Sequence, residues 1–144
     1  MGACVFCDIV AGDAPASVVY QDDQVLVFMG HRPVTRGHTL VIPKRHAGVL
    51  AEMDQATGEH LFGVAMRVAA AIRHSAVRAE GIRLSLSDGA AAGQVVPHVH
   101  LHLIPRHAGD GVWGGEMEGP RGATRAELDE TAAEIARAYR ELYG

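Results

Sequence analysis

The chain has 144 residues, of which 48% are hydrophobic and 21% are charged, and these values are typical of one soluble globular domain. Thirteen basic and seventeen acidic residues give a formal net charge of -4 without a long run of either sign. This balance argues against a protein that coats nucleic acid, although it permits a compact basic pocket. No run of 18 apolar residues and no apolar leader occurs, so we expect a single cytoplasmic domain over residues 1–144 without a membrane partner.

Hydrophobic periodicity predicts a sheet and two helices. Alternation and β-branched content predict strands over residues 18–20, 25–29, 38–42, 82–87 and 99–104. Apolar side chains recur at helical spacing over residues 55–79, after the capping residue Asp54. Thr124 and Glu127 form a capping box that opens a C-terminal helix over about residues 125–143. Strands grouped around one long helix favour an α+β class with a mostly antiparallel sheet.

The run HVHLHLI at residues 98–104 is the most informative stretch of the sequence. In a strand, a period of two places His98, His100 and His102 on one face and apolar side chains on the other. His98 and His102 would then be about 13 Å apart, too far to share one metal ion, so the rings are expected to divide the work. A neutral imidazole can act as a nucleophile when a hydrogen bond orients its other nitrogen. His38 is a candidate for the partner in that hydrogen bond. A solvated or purely structural histidine face is the alternative.

The loop before the histidine run has the character of a phosphate-binding turn. Ser87, Gly93 and Gln94 supply small side chains, exposed backbone N–H groups and neutral donors. Glycine-rich turns are also common as plain connectors, and that interpretation stays open.

The only two cysteines, Cys4 and Cys7, form a C-x-x-C pair. Two thiolates and two histidines complete a closed tetrahedral zinc site, and His46 and His98, each beside a strand end with a proline nearby, are the candidate histidines. Such an ion would hold the N-terminal segment against the sheet. A redox pair and two unrelated small apolar residues are the alternatives.

Together with the histidine run, three further segments resemble the histidine triad (HIT) family of nucleotide hydrolases and transferases. They are CVFCDIV at residues 4–10, GHTLVIPKRH at residues 37–46, and the turn at residues 88–94. The resemblance covers residues 4–107 and leaves residues 108–144 without a readable motif. It implies a HIT-like fold with a five-stranded antiparallel sheet, a homodimer, and a zinc-containing, bacterial-type protein similar to HINT and FHIT hydrolases.

The resemblance also implies a reaction and the residues that perform it. His100 would attack the α-phosphate of an adenosine phosphoramidate or a dinucleoside polyphosphate, and water would release a nucleoside monophosphate from the nucleotidyl-histidine. The implied catalytic set is His100, His38, His98 and His102, of which His38 and His102 would orient the nucleophile and handle phosphate charge or protons. The purine nucleotide would contact Ser87, Gly93, Gln94, His100 and His102. Structural Zn²⁺ would be bound by Cys4, Cys7, His46 and His98.

Three positions qualify this interpretation. His102, where the transferase branch typically has glutamine, favours a hydrolase. Gly30 stands where the family commonly has a ribose-binding Asp or Asn, and Ser87 replaces a larger amide, so about 1 kcal/mol of binding is lost at each. A catalytically weak nucleotide-binding or scaffold protein is therefore the alternative, and a metal-dependent hydrolase is a third hypothesis. Trp113 is a candidate for the leaving-group side of the site or for a dimer contact, or it is an exposed side chain without a role.

Overall fold

In the computed structural model, which describes residues 4–144, five strands form one antiparallel sheet. The strands are β1 (Val18–Gln21), β2 (Val25–Met29), β3 (Thr39–Pro43), β4 (Gly81–Ser85) and β5 (Leu101–Arg106). The helices are α1 (Val5–Ala11), α2 (Gln55–His74) and α3 (Arg125–Tyr143). The strand order is β1-β2-β3-β5-β4, so β1 and β4 are the edges. The predicted α+β class, antiparallel five-stranded sheet, long helix and C-terminal helix are confirmed.

Both faces of the sheet are covered by apolar side chains. On one face, Val25, Val27 and Val41 pack with α2 and α3 in the larger core cluster. On the other face, the alternate residues Leu26, Phe28, Leu40 and Ile42 pack with Phe6 of α1 in a second cluster. Every residue of β2 and β3 is buried because each strand contributes to both clusters.

Helix α1 was absent from the sequence prediction. The Sγ atom of Cys4 caps it by accepting the N–H of Cys7 at 3.3 Å, and Gly12 ends it in the left-handed conformation with φ 83°. Seven residues give too few apolar repeats for a periodicity argument. The available signals were an acidic first turn at Asp8 and the glycine at the end.

Other boundaries also differ from the prediction, and His38, predicted to open a strand over residues 38–42, lies just before β3 (Thr39–Pro43). Helix α2 ends at His74 rather than residue 79, because the Ser75 hydroxyl donates to the Ile72 carbonyl at 2.7 Å and accepts the Val77 N–H at 3.1 Å. Strand β4 spans Gly81–Ser85 rather than residues 82–87. Strand β5 begins at Leu101 rather than residue 99, so part of the histidine run lies in the segment that enters the strand.

The predicted helix caps are present. The carboxylate of Asp54 accepts the N–H of Thr57, and Thr124 and Glu127 exchange both bonds of a capping box at 2.8 and 3.1 Å. Across residues 4–144, no helix is long and apolar enough to cross a membrane. Residues 1–3 lie outside the described residues. The predicted domain over residues 1–144 and the N-terminus that we expect to lack a leader both begin there.

Gly37, directly before His38, provides a test of this packing. Its φ is +97°, and an added Cβ would lie 2.7 Å from Val77 Cγ1 and 3.1 Å from Pro105 Cγ. Gly12 also has a positive φ, of +83°, but its Cβ would meet nothing within 4 Å. We expect Gly12→Ala to lower the free energy of unfolding by about 1 kcal/mol and Gly37→Ala by about 2–4 kcal/mol, measured by urea denaturation. Equal losses would show that the surroundings of residue 37 accept a methyl group.

Candidate active site and metal centre

A cavity of about 410 Å³ opens beside α1 and the histidine run. The volume lies in the range of small-molecule sites. Its apolar lining includes Phe6, Ile9, Phe28, Leu40 and Val96. Its polar lining includes His38, His100, His102, Ser87, Arg32 and Arg125. The cavity therefore combines apolar surface for a flat ring system with imidazole and cationic groups for an anion.

His38 and His102 form a hydrogen-bonded pair of imidazoles. The backbone N–H of Val34 donates to His38 Nδ1 at 3.0 Å, so His38 must carry its own proton on Nε2. That proton is donated to His102 Nδ1, 2.9 Å away. His102 therefore carries its proton on Nε2, and this N–H is the donor that His102 can offer to a ligand.

His100 is held in the opposite tautomer. Its Nδ1 lies 2.7 Å from the carbonyl oxygen of His98, which can only accept, so the proton is on Nδ1 and Nε2 keeps its lone pair. The His100 and His102 ring centroids are 5.1 Å apart. The prediction that His38 and His102 orient His100 is wrong: His38 orients His102, and the His98 backbone orients His100. One nucleophilic nitrogen and one N–H donor thus belong to neighbouring rings of the same cavity.

Burial favours the neutral form of His38, His100 and His102. It lowers the pKa of His38 to about 4. It lowers the pKa of His102 to about 3, where the neighbouring His38, His100 and Arg83 also oppose protonation. Burial also lowers the pKa of His100, and the hydrogen bond to the His98 carbonyl opposes that shift. The lone pair of His100 is therefore available at neutral pH.

Four side chains beside α1 form a candidate metal centre. One ligand atom from each of Cys4, Cys7, His46 and His98 lies within 4.8 Å of all the others. His98 Nε2 donates to the Pro43 carbonyl at 2.8 Å, so the lone pair on His98 Nδ1 faces the cluster. The two Nδ1 atoms are 3.2 Å apart, and three of the four sulfur–nitrogen distances are 3.3, 3.3 and 3.7 Å. A tetrahedral zinc ion would set these separations at about 3.3 and about 3.6 Å, so the residues fit the ion in chemistry and in size.

The structure divides the histidine run between these two sites. The ring of His98 is fully buried in the metal centre and does not line the cavity, whereas His100 and His102 do. The His98 ring belongs to the candidate metal centre, and its backbone carbonyl accepts from His100 Nδ1. A catalytic role of the His98 ring stays a prediction. The rings divide the work, as the spacing along the chain requires.

The turn before the histidine run contributes less than predicted. Ser87 and Gly93 line the cavity. The side chain of Gln94 accepts from Gly89 N–H at 2.7 Å and donates to the carbonyls of Gly48 and Val96. The backbone N–H groups of residues 93 and 94 donate to carbonyls within the same turn. In the structure the Gln94 side chain stabilises the turn, and Ser87 is the side-chain donor that this turn offers to the cavity. A phosphate contact of Gln94 stays a prediction.

Several cavity residues were not found from the sequence. Phe6 is brought to the site by α1, which was not predicted. Arg32 and Arg125 both line the cavity. They lie far apart in the chain, and no local sequence pattern identifies either of them. Segment 117–123 reaches the cavity because Gly119 N–H donates to the Arg32 carbonyl at 2.9 Å. Such contacts, nearly ninety residues apart, carry no periodicity signal.

Gly30 and Trp113, the two remaining candidates from the sequence, lie at different places relative to the cavity. Gly30 and the adjacent His31 both line the cavity, and a Cβ on Gly30 would approach His38 Cδ2 no closer than 3.6 Å, so there is room for a side chain at position 30. Trp113 is 81% exposed and lies outside the cavity lining. The structure gives Trp113 no contact with the site.

Comparison with known proteins identifies the family. Residues 11–109 match the HIT domain family. A crystal structure of a zinc-bound histidine triad family protein from Mycobacterium smegmatis is 39% identical, with a TM-score of 0.84 over 97% of this chain and 95% of that chain. The chain therefore belongs to the HIT domain family, and its sheet and helices have the HIT-like fold.

Two further relatives bear on function through their names. A hypothetical histidine triad nucleotide-binding protein from Sulfolobus tokodaii is 30% identical, with a TM-score of 0.85 over 96% of this chain and 93% of that chain. Adenylylsulfatase HINT3 from Arabidopsis thaliana is 36% identical over 113 residues, which cover 78% of this chain and 57% of the relative.

The buried imidazole pair predicts a specific dependence of stability on pH. In the unfolded chain a histidine titrates near 6.5, whereas the folded pKa values are about 4 for His38 and about 3 for His102. Between pH 6.5 and 4 the unfolded state binds protons that the folded state does not, so stability falls as the pH falls. The limit is about 1.4 kcal/mol per pH unit for each histidine.

Urea denaturation of wild type and His38→Gln between pH 4.5 and 7.5 tests this expectation. The slope of the unfolding free energy against pH should be smaller in His38→Gln because one of the rings whose pKa is lowered on folding is gone. His74→Gln removes an exposed histidine of α2 and serves as the matched control. Identical slopes for wild type and His38→Gln would contradict the assignment.

Proposed function

We propose that this protein hydrolyses purine nucleotide conjugates at the α-phosphate, through a nucleotidyl-histidine formed on His100 Nε2. The observation that carries the proposal is the fixed tautomer pattern of the cavity. The His98 carbonyl holds the proton of His100 on Nδ1, which leaves Nε2 free to attack. The Val34 N–H, acting through His38, makes the neighbouring His102 a donor at Nε2.

The two steps are displacements at phosphorus. In the first, the His100 Nε2 lone pair forms a bond to the α-phosphorus, and the P–N or P–O bond to the leaving group breaks with its electron pair. In the second, water attacks phosphorus, the P–Nε2 bond breaks, and the nucleoside monophosphate leaves. His102 Nε2–H is suited to donate to a phosphate oxygen, where negative charge increases in both steps. A neutral nucleophile and a neutral donor perform this role without first losing a proton at pH 7.

The cavity supports a purine nucleotide as the substrate. Phe6, Phe28, Ile9 and Leu40 supply the apolar surface that a base requires, within about 410 Å³. The name of the Arabidopsis relative, adenylylsulfatase, supports an adenylyl group as the transferred moiety. Adenosine phosphoramidates and dinucleoside polyphosphates share that group and differ in the leaving group.

A second candidate function is nucleotide binding without turnover, as in a scaffold protein. The observation that favours it is the loss of long, neutral hydrogen-bonding side chains at positions 30 and 87 of the cavity lining. Gly30 has no side chain, Ser87 has a short one, and the amide of Gln94 is engaged by backbone groups. The name of the Sulfolobus relative, a nucleotide-binding protein, is compatible with this alternative.

We further propose that the metal centre holds a structural zinc ion. Four protein ligands close a tetrahedral site and leave no position for water, and the Mycobacterium smegmatis relative is zinc-bound. Within residues 4–144, the one group of this kind contains neither His100 nor His102, which argues against the hypothesis of a catalytic metal. Zinc would fix the conformation of its ligands when bound. Two thiol ligands that are not joined as a disulfide support a cytoplasmic location.

A direct experiment separates the two candidate functions. Wild type is mixed with adenosine 5′-phosphoramidate and, separately, with diadenosine polyphosphates, while AMP release and the intact mass of the chain are followed. We expect AMP release and a transient adenylylated chain, with His100→Ala slower by at least about 10³-fold and free of adduct because the nucleophile is absent. His74→Gln, on the surface of α2, serves as the matched control. Nucleotide binding by wild type without adduct or AMP would replace this proposal with the binding-protein alternative.

We also propose that residues 1–144 form one domain that assembles as a homodimer. The larger core cluster contains residues from Val19 to Tyr139, which supports one domain. Strand β4 is an open sheet edge. Phe62 and Met66, one turn apart on α2, are 51% and 61% exposed, and Leu84 on β4 is 39% exposed. Unpaired edges and exposed apolar side chains are features that a second copy can cover.

Light scattering after size-exclusion chromatography tests the dimer. We expect wild type to be dimeric and the double variant Phe62→Glu with Met66→Glu to be monomeric, because burying two carboxylates in an apolar contact is costly. Val18→Glu is the matched control: Val18 lies on the opposite edge strand, β1, and is 40% exposed. A monomeric wild type, or a monomer produced only by Val18→Glu, would overturn the assignment of this surface.

A further inference from the structure

We propose that the metal centre positions the nucleophile, and that Phe6 is a positioning residue for His100. The inference rests on the proposed role of His100 in the reaction. Two separate contacts connect the metal ligands to the His100 ring: the carbonyl of His98 and the aromatic ring of Phe6. Neither contact brings the metal into the chemistry, because Cys4, Cys7, His46 and His98 do not line the cavity.

The first contact passes through the backbone of His98. The His98 ring is restrained at both nitrogens, by the cluster at Nδ1 and by the Pro43 carbonyl at Nε2. Its backbone is also bonded, because its N–H donates to the Val96 carbonyl at 2.8 Å. The carbonyl that accepts from His100 Nδ1 at 2.7 Å therefore belongs to a residue held on three sides. One of those three restraints is the metal centre.

The second contact passes through α1. Phe6 lies between the two cysteines of the C-x-x-C pair, and its ring packs edge to face on His100, with centroids 5.1 Å apart and an interplanar angle of 80°. The same ring packs on His98 at 5.8 Å and on Phe28 at 5.5 Å. A hydrogen bond at Nδ1 limits how the His100 ring turns, and the Phe6 ring occupies the space into which it would swing. Together the two contacts fix the direction of Nε2.

Helix α1 needs the metal centre to hold this position. A helix of seven residues is unstable by itself, so its place depends on contacts with the sheet. Without an ion, two imidazole nitrogens stand 3.2 Å apart beside two thiols, an arrangement that a cation stabilises. Loss of the ion should loosen this cluster and displace Phe6 from His100.

NMR of the imidazoles tests this without any substrate. Long-range ¹H–¹⁵N spectra of histidine-labelled protein, assigned with His100→Ala, report the tautomer of His100 and the protection of its Nδ1 proton. In the zinc-loaded protein we expect one tautomer and a protected proton. After chelation of the metal, and in the Cys4→Ser with Cys7→Ser variant, we expect averaged tautomers and loss of the Nδ1 proton signal. Metal analysis of each sample establishes its zinc content.

Two further variants distinguish positioning from general destabilisation. Phe6→Leu keeps all four metal ligands and removes the aromatic contact, so it should retain zinc and still loosen His100. Ile135→Val removes a methyl group from a fully buried residue of α3 in the other core cluster, and it should lower the melting temperature without changing the His100 signals. His60 and His74 on α2 provide unchanged reference signals in every spectrum.

Kinetics provide a second readout. In the metal-free wild type at saturating nucleotide, formation of the adenylylated chain should slow by about 10- to 100-fold. The Kd for AMP, measured in parallel, separates this loss from weaker binding at the displaced Phe6. An unchanged His100 tautomer and proton in folded, zinc-free protein would overturn the inference, whether or not the protein is an enzyme. If the NMR change occurs and no adduct forms in wild type, the proposed reaction fails and the structural coupling stands.

Discussion

The active site depends on hydrogen bonds between backbone groups and imidazole nitrogens. The N–H of Val34 can only donate, and the carbonyls of Pro43 and His98 can only accept, so each fixes the proton of the ring that it meets. The result is a lone pair on His100 Nε2, a second lone pair on His98 Nδ1 and a donor on His102 Nε2. Three nearly identical side chains thereby acquire three different chemical roles.

Burial makes this pattern effective. An exposed imidazole near its ordinary pKa would be partly protonated at pH 7 and would exchange tautomers, whereas buried His38 and His102 remain neutral and paired. Burial is costly for polar groups, and it is tolerated here because each ring nitrogen facing the protein has a partner. The apolar clusters on the two faces of the sheet contribute stability that offsets this cost.

The sequence predicted the α+β class and the five-stranded sheet, and it singled out histidines and cysteines that the structure brings together. Alternation in residues 98–104 separates the imidazoles from the apolar face, and the distance argument requires that they divide between two sites. The pattern could not reveal which partner holds each ring. His102 is held by a side chain 64 residues away and the His98 ring by a carbonyl 55 residues away. The partners of His38 and His100 are nearby backbone groups, but periodicity describes side-chain faces and does not specify how those groups are oriented.

The sequence did not predict helix α1, and it did not predict the hydrogen bonds that Gln94 makes within its own turn. A helix of seven residues offers too short a pattern, although it delivers both cysteines and Phe6 to their sites. Gln94 was assigned to phosphate because its amide is a suitable donor, but the turn itself contains carbonyls that the same amide satisfies. A polar side chain in a tight turn is as often needed by the turn as by a ligand.

Chemistry and recognition are separable in this site. The groups that would act on phosphorus, His100 and His102, are fixed by the backbone and do not depend on residue 30 or on residue 87. At positions 30 and 87, where side chains would select the nucleoside, this chain has a glycine and a serine. An added Cβ atom would fit at position 30. Losing one hydrogen bond at each position weakens affinity by a factor of about 5–10 and leaves the direction of the nucleophile unchanged. A chain with this geometry can therefore keep the reaction of its family while accepting a wider range of nucleosides, because selectivity resides in side chains and the nucleophile is held by the backbone.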